Sequence, residues 1–543
     1  PRDRVRTYSW AALDRDDPCW VCQLGTLAGL RDLRLAHRLE LLPAVIADRS
    51  GTRAADDDGW STTGPGVEAA LGARYRLSPE LAAELTLNPD FSQIEADPAQ
   101  LDVNSPFALS LPERRPFFQA GAGLLRDPLG TLYTRSINDP SVAAKVTGSA
   151  FGLDVLYVGA RDERTPVLVP LVDRTGLAAA GASTSQILRV RRSFGESSYA
   201  GLALTDRRLR GGAESLGAID GSYRFGEDYS VVWQVALSRT HEPSDATLTP
   251  ELDGLRYDRG RHTAGFDGEE LGGHAAYAYL ERDALPWSFE LLYTELSPSF
   301  RAGNGFVERN GFRRARVEQG LEWYVNRPWI DRIETEASAT RDWDHPGGRR
   351  YDRLDYGFEL DLTGQTAIEL EYGREWERYR GEWFDGVDRL ELEVESAFAE
   401  RVALGAAAAY GDFIARNLPE PVLGRGTETE ARVDLRPLRN VVMESSLGFA
   451  RLRGPAGDEI FSGWIARSRI DVQFNRELRL RLFGQYDGFD ETLGLQPLLS
   501  YELNPFSVFF VGATLDYRRG DARDGLRARE RQLFLKLQYL FKP

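Results

Sequence analysis

From Arg531 to Phe541 the side chains alternate: Leu533, Leu535, Leu537, Tyr539 and Phe541 fall on one face of an extended chain, and Gln532, Lys536 and Gln538 on the other. That is a strand with lipid on one side and water on the other, ending on aromatics as the closing strand of an outer-membrane barrel does. The pattern recurs upstream. In 366–378, Ile368, Leu370, Tyr372 and Trp376 oppose Glu369, Glu371 and Glu375; in 387–398, Leu390, Leu392, Val394 and Phe398 oppose Glu391, Glu393 and Glu395. In 477–486, Leu478, Leu480, Leu482 and Tyr486 oppose Arg479, Arg481 and Gln485. A soluble sandwich seldom carries Arg and Glu rows on one face of so many strands, whereas a water-filled lumen accepts them.

No stretch approaches the roughly 20 apolar residues of a membrane helix, and mean hydropathy is -0.39. A transmembrane barrel escapes that test, because only every second residue meets lipid. The chain has 543 residues without a break in composition, which favours one large architecture. A net charge of -16, with no basic run interleaved with aromatics, speaks against nucleic acid as a partner. The first residues hold no charged-then-apolar leader, so a signal peptide, and an upstream domain with it, is expected to have been removed or omitted.

From residue 184 on, tight links (195–196, 226–227, 326–331, 363–365, 437–438, 475–476, 504–506) alternate with longer ones (242–268, 298–311, 380–386, 413–426, 453–458, 519–526). Short periplasmic turns and long outer loops give this rhythm. Strands are read near 36–49, 65–76, 80–88, 131–137, 142–149, 151–161 and 184–195, with eighteen more to the end. A single-chain bacterial barrel needs an even number. Either 165–173 is added, giving 26, or the weak strand near 131 is dropped, giving 24; the expectation is 26 strands, with 24 next. The fold class is therefore all-β: one large transmembrane antiparallel barrel over 36–543, behind a periplasmic N-terminal segment, 1–35. Trp287, Trp323, Trp329, Trp376 and Trp383 suit interfacial girdles.

Residues 88–128 do not alternate, are far longer than an ordinary connection and occupy an outer-loop position. They are expected to fold inward as a plug or constriction, the plain alternative being a long surface loop. Within them, Pro112, Glu113, Arg114, Arg115, Pro116, Phe117 and Phe118 combine stiff backbone, guanidinium groups able to pair with lumenal carboxylates, and rings that need burial. Such a piece anchors a plug to the wall; a functional version would have Arg114 and Arg115 select anionic solutes.

Cys19 and Cys22 can form a small-loop disulfide in an oxidising periplasm, and Gln23 stands where covalent haem attachment needs His. Asp90, Glu95, Asp97 and Asp102 offer oxygen ligands for calcium without the spacing of an EF-hand, so a solvated or Arg-paired loop is the plainer reading. His37, His241, His262, His274 and His345 are scattered with no pair at metal-ligand spacing, and no Gly-x-Ser-x-Gly elbow occurs. Neither a metal, a cofactor nor an enzymatic activity is expected.

The most specific run is Thr86-Leu87-Asn88-Pro89-Asp90-Phe91-Ser92-Gln93-Ile94-Glu95-Ala96-Asp97, followed by Leu111-Pro112-Glu113-Arg114-Arg115-Pro116-Phe117-Phe118. With Gly29-Leu30-Arg31 through Leu39-Glu40-Leu41-Leu42-Pro43, Leu188-Arg189-Val190-Arg191-Arg192, Ser297-Pro298-Ser299-Phe300-Arg301 and Gly305-Phe306-Val307-Glu308-Arg309, it resembles a family of bacterial outer-membrane barrels of unknown function. Its members are often called carbohydrate binding family 9 domain-containing proteins. The resemblance implies an outer-membrane barrel preceded in the full protein by a periplasmic sandwich module similar to carbohydrate-binding family 9. It brings no catalytic residues. One departure is the ending Phe541-Lys542-Pro543, which moves the terminal aromatic two residues inward.

Taken together, the sequence is read as a porin-like channel or transporter of the bacterial outer membrane, passing or exporting a solute or polymer through an Arg/Glu-lined lumen. The alternative is a scaffold barrel sheathing a periplasmic or surface partner such as a lipoprotein or multihaem cytochrome. Outer-membrane lipid is the partner common to both.

Overall fold

The structure, a computed structural model, describes residues 38–53, 59–89, 107–113, 115–195, 197–325, 327–345, 347–416, 418–504, 506–519 and 525–543. Twenty-four long strands pair antiparallel, each with its sequence neighbour in the wall, and Leu39–Thr52 closes the cylinder on Leu526–Gln538. A two-residue piece, Ser61–Thr62, extends the first of them. The chain is thus a transmembrane β-barrel, and it lies in the bacterial outer membrane. Closure leaves no sheet edge, which an apolar medium requires because unpaired N–H and C=O groups find no water there.

The count of 26 is corrected to 24, for two local reasons. Residues near 131 do not form a strand; Thr134–Ser136 is a single 3-10 turn. Thr165–Pro170 is a strand but pairs only with Thr175–Ala180, as a separate hairpin outside the wall. Its Val167 and Val169 are buried against Leu252, Ala264 and Phe266 of the 242–269 loop, so they meet protein and not lipid.

Outward positions carry the apolar rows. Leu202 and Leu204, Ile219, and Val235 and Leu237 stand exposed on three successive strands, as do Leu354 and Tyr356, and Leu390 and Leu392, on two strands further along the wall. So do Leu533, Leu535, Leu537, Tyr539 and Phe541, as the terminal alternation requires. Trp287, Trp323 and Trp329 flank the short turns at one end, Phe474 and Phe506 lie in two more, and Trp383 stands near the other end.

Inward positions divide into two regions. Along strands from Pro140–Ala150 to Trp287–Leu296 the inner wall is small or apolar (Ala143, Leu156, Val158, Ile187, Ala203, Leu216, Ala218, Ala236, Ala275) and is covered by a core cluster. Phe118, Leu124, Leu129, Leu132 and Ile137 supply that cluster from the stretch between the wall strands Leu81–Leu87 and Pro140–Ala150, with Phe300 and Val307 from the 297–311 loop. Gly273 permits the loop's approach: a Cβ there would lie 2.3 Å from the Phe300 backbone. From Phe312–Tyr324 to Glu382–Ala399 the inward rows are rich in charge.

Candidate functional site

The stretch from Phe107 to Asp139 leaves the rim and lies against the inner wall, and its polar contacts fall into two sets. The first is internal. Glu113 accepts from Arg115 Nε at 2.9 Å, Arg115 Nη2 at 2.6 Å, the Arg115 amide at 2.8 Å and Thr134 Oγ1 at 2.6 Å. Arg115 also donates to the carbonyls of Ile137 at 2.6 Å and Thr134 at 2.8 Å, and lies over the Phe118 ring. Burial alone would raise the Glu113 carboxyl, but the Arg115 and Thr134 contacts outweigh it and hold it below its ordinary value. Arg115 thus pairs with a carboxylate two residues away. Pro116 opens the short helix Pro116–Gln119, Phe118 is buried and Phe117 meets it edge-on at 5.0 Å.

The second set comes from buried wall side chains aimed at this stretch. Lys145 donates to the Phe117 carbonyl and, at 3.3 Å, to that of Ala120, while pairing with Glu84 at 3.2 Å. Arg189 donates to Leu124 O at 3.1 Å, Arg207 donates to Ser136 O at 2.8 Å, and Gln234 Oε1 accepts from the Leu129 amide at 3.0 Å. Arg189 also clasps Asp220 through both guanidinium nitrogens, one contact measuring 2.6 Å. This clasp spans Gly201 on the strand between them, where a Cβ would lie 2.7 Å from Arg189 Nη1 and 2.8 Å from Asp220. Asp127, holding Thr131 and Leu129, has its carboxyl raised by burial against those contacts and Arg189.

Sequence reasoning did not assign roles to Lys145, Arg189, Arg207 or Gln234. The signal was present in part: Lys145, Arg207 and Gln234 are each the one long charged or amide residue on the inward parity of their strand, whereas Arg189 shares that parity with Arg191, which pairs with Asp154 at 3.6 Å.

Beside this packed region lies a cavity of about 740 Å³. Nine carboxylates (Asp173, Glu369, Glu371, Glu375, Glu377, Glu391, Glu393, Glu428 and Glu430) and five arginines (Arg309, Arg314, Arg350, Arg389 and Arg416) line it. Several are paired: Arg416 with Glu377 at 2.5 Å, Arg353 with Glu371 at 3.0 Å, Arg389 with Glu391 at 2.9 Å. Glu322, Glu334, Glu359, Glu369 and Glu393 face one another in register across five adjacent strands, an arrangement that repels unless countered. Arg332 counters three of them, reaching Glu334 and Glu359 at 2.5 Å and Glu322 at 3.6 Å.

At the long-loop end, on the outer face, His274, Glu295 and His345 bring one ligand atom each within 4.8 Å of the others. The sequence showed five scattered histidines; strand order brings two of them to one carboxylate. Cys19, Cys22, Arg114, Asp90, Glu95, Asp97 and Asp102 lie outside the described residues.

The wall and its contents define an outer-membrane β-barrel with an internally packed segment. Residues 37–147 match the family model described as Domain of unknown function (DUF5916), a range that takes in the first three wall strands, the fourth up to residue 147, and the stretch that precedes the fourth. No curated protein matches the chain. Among solved structures the chain is similar to the siderophore receptor PirA from Acinetobacter baumannii, with 8% identity over 92% of this chain and 80% of that one and a TM-score of 0.46. It is also similar to the copper transporter OprC (10% identity, 74% and 77% covered, TM-score 0.48) and the FrpB iron transporter from Neisseria meningitidis (9%, 73% and 79%, TM-score 0.43).

Proposed function

We propose that this barrel is a channel or transporter that carries a polar solute, or helps export a polymer, across the outer membrane along the charged side of its lumen. The observation behind this reading is the division of the lumen. One side is filled by 107–139 and the 297–311 loop, while the other keeps a cavity bordered by inward Glu and Arg rows. Charged rows inside a closed wall solvate an ion or hydrophilic solute in transit, and a constricted lumen makes passage selective. On this reading 88–128 is the plug, and its described part continues to the wall strand at Pro140. Pro112 to Phe118 is closed on itself by the Glu113–Arg115 contacts, and the wall residue Lys145 holds it by the Phe117 carbonyl. The upstream carbohydrate-binding family 9 module belongs to the same proposal.

The scaffold alternative needs a lumen free for a partner, and the packed segment counts against it. Planar-bilayer conductance of the purified chain, compared with a variant lacking 92–126, tests the proposal. The variant is expected to conduct several-fold more. Equal conductance would remove the constriction, and silence from both proteins, each refolded by heat-modified gel mobility, would remove the transport reading.

A further inference from the structure

His274 lies on the strand Glu270–Arg282 between Gly273 and Ala275, which face inward against Phe300 and the core cluster; His274 therefore faces out. Glu295 precedes the inward Leu296 and Arg313 follows the inward Phe312, so they too are on the outer face. His345 follows the strand Ile330–Asp344, its amide bonded to Gly311 O at 2.9 Å. Glu295 Oε1 is the hub: His345 Nε2 lies 2.9 Å from it, His274 Nε2 3.5 Å and Arg313 Nε 3.0 Å, while Tyr293 holds Oε2 at 2.7 Å. The imidazole rings are 5.6 Å apart and inclined at 68°.

From this convergence we propose that His274, Glu295 and His345 form a site for a borderline divalent metal ion of the zinc, copper or nickel class on the outer rim of the barrel. Two neutral imidazoles and a carboxylate suit that class, whereas magnesium and calcium prefer oxygen alone. Ligand atoms about 2.0–2.1 Å from a tetrahedral metal stand about 3.3–3.4 Å from one another. The two nitrogen-to-oxygen separations, 2.9 and 3.5 Å, bracket that edge, and the two nitrogens, within 4.8 Å of each other, complete the triangle. Tyr293 fixes the far carboxylate oxygen, the kind of outer contact that orients a ligating group. Three protein ligands leave a position open toward the outside.

Arg313 is the metal-free occupant. It donates to Glu295 and lies 3.3 Å from His345 Nε2, and its half-exposed side chain can swing into water. It therefore competes with the ion, and removing it should strengthen binding, the opposite of what loss of a merely structural contact would do.

The test is copper(II) paramagnetic resonance and zinc competition on the full chain in detergent at neutral pH, without a histidine tag and with Cys19 and Cys22 alkylated. One equivalent should bind with coupling to two nitrogens. H274A and H345A should each lose one nitrogen and weaken binding at least tenfold, and R313A should tighten it. Absence of stoichiometric binding, an unchanged nitrogen count in both histidine variants, or weaker binding in R313A would overturn the site. None of these readouts involves conductance, so the transport reading stands or falls separately.

Discussion

Phe118→Ala tests whether 107–139 is held by its own packing. Phe118 is 1% exposed, meets Phe117 edge-on, carries Arg115 over its face and sits in the cluster with Leu156 and Ile187. Truncating a fully buried Phe costs about 3–5 kcal/mol, the sum of lost transfer energy and the cavity left behind. At about 1.4 kcal/mol per factor of ten, the released population should rise between roughly 10²- and 10⁴-fold. Hydrogen exchange reads this directly, because amides near the middle of the segment bridge it to the rest of the protein, among them Tyr133 N to Asn304 O at 2.8 Å and Leu129 N to Gln234 Oε1 at 3.0 Å. Both should lose protection together while wall amides such as Leu204 keep theirs. Protection unchanged to within tenfold at Tyr133 and Leu129 would refute the argument that this ring holds the segment.

Arg189→Met leaves the Asp220 carboxylate, 1% exposed, without its countercharge, which should cost about 3–5 kcal/mol in vesicle-based unfolding; R189M/D220L should recover most of it, and a double variant no better than the single one would contradict the pairing. Glu242 is pushed up to about 7 by burial, against the pull of Arg301, with Glu269 and Asp267 adding to the rise. A carboxyl raised from 4.5 in this way favours the folded loop below that pH, and the advantage is lost as pH climbs through about 7. Protection of the Glu242 and Phe300 amides should therefore fall by up to about 3 kcal/mol between mildly acidic and mildly alkaline pH, after correction for intrinsic exchange. Glu242→Gln should flatten the profile, and a flat wild-type profile would count against it.

The wall was legible because a membrane barrel writes itself at period two: Leu533 to Phe541 and the Glu rows of 366–398 have the orientation their alternation demands. Strand number was harder. Thr165–Pro170 has the composition of a wall strand, and only its partner, Thr175–Ala180, and the covering Leu252 and Phe266 show that it faces protein. Local sequence does not say whether an apolar face meets lipid or another loop. Residues 88–128 stood out as a failure to alternate, but the contacts of their described part did not, since Lys145, Arg189, Arg207 and Gln234 come from four strands and converge only after the cylinder closes. His274 and His345 were hidden for the same reason.

Ala44 to Thr52 zip to Glu530 to Gln538, and Leu41 and Phe541 exchange both backbone hydrogen bonds beyond them. The first wall strand must therefore wait for the last, with every other wall strand between them. A nascent chain cut short before Leu526 does not become a slimmer cylinder. It is an open ribbon whose two raw borders cannot enter hydrocarbon, so whatever assembles this protein has to hold both borders apart from lipid until the last strand is in place.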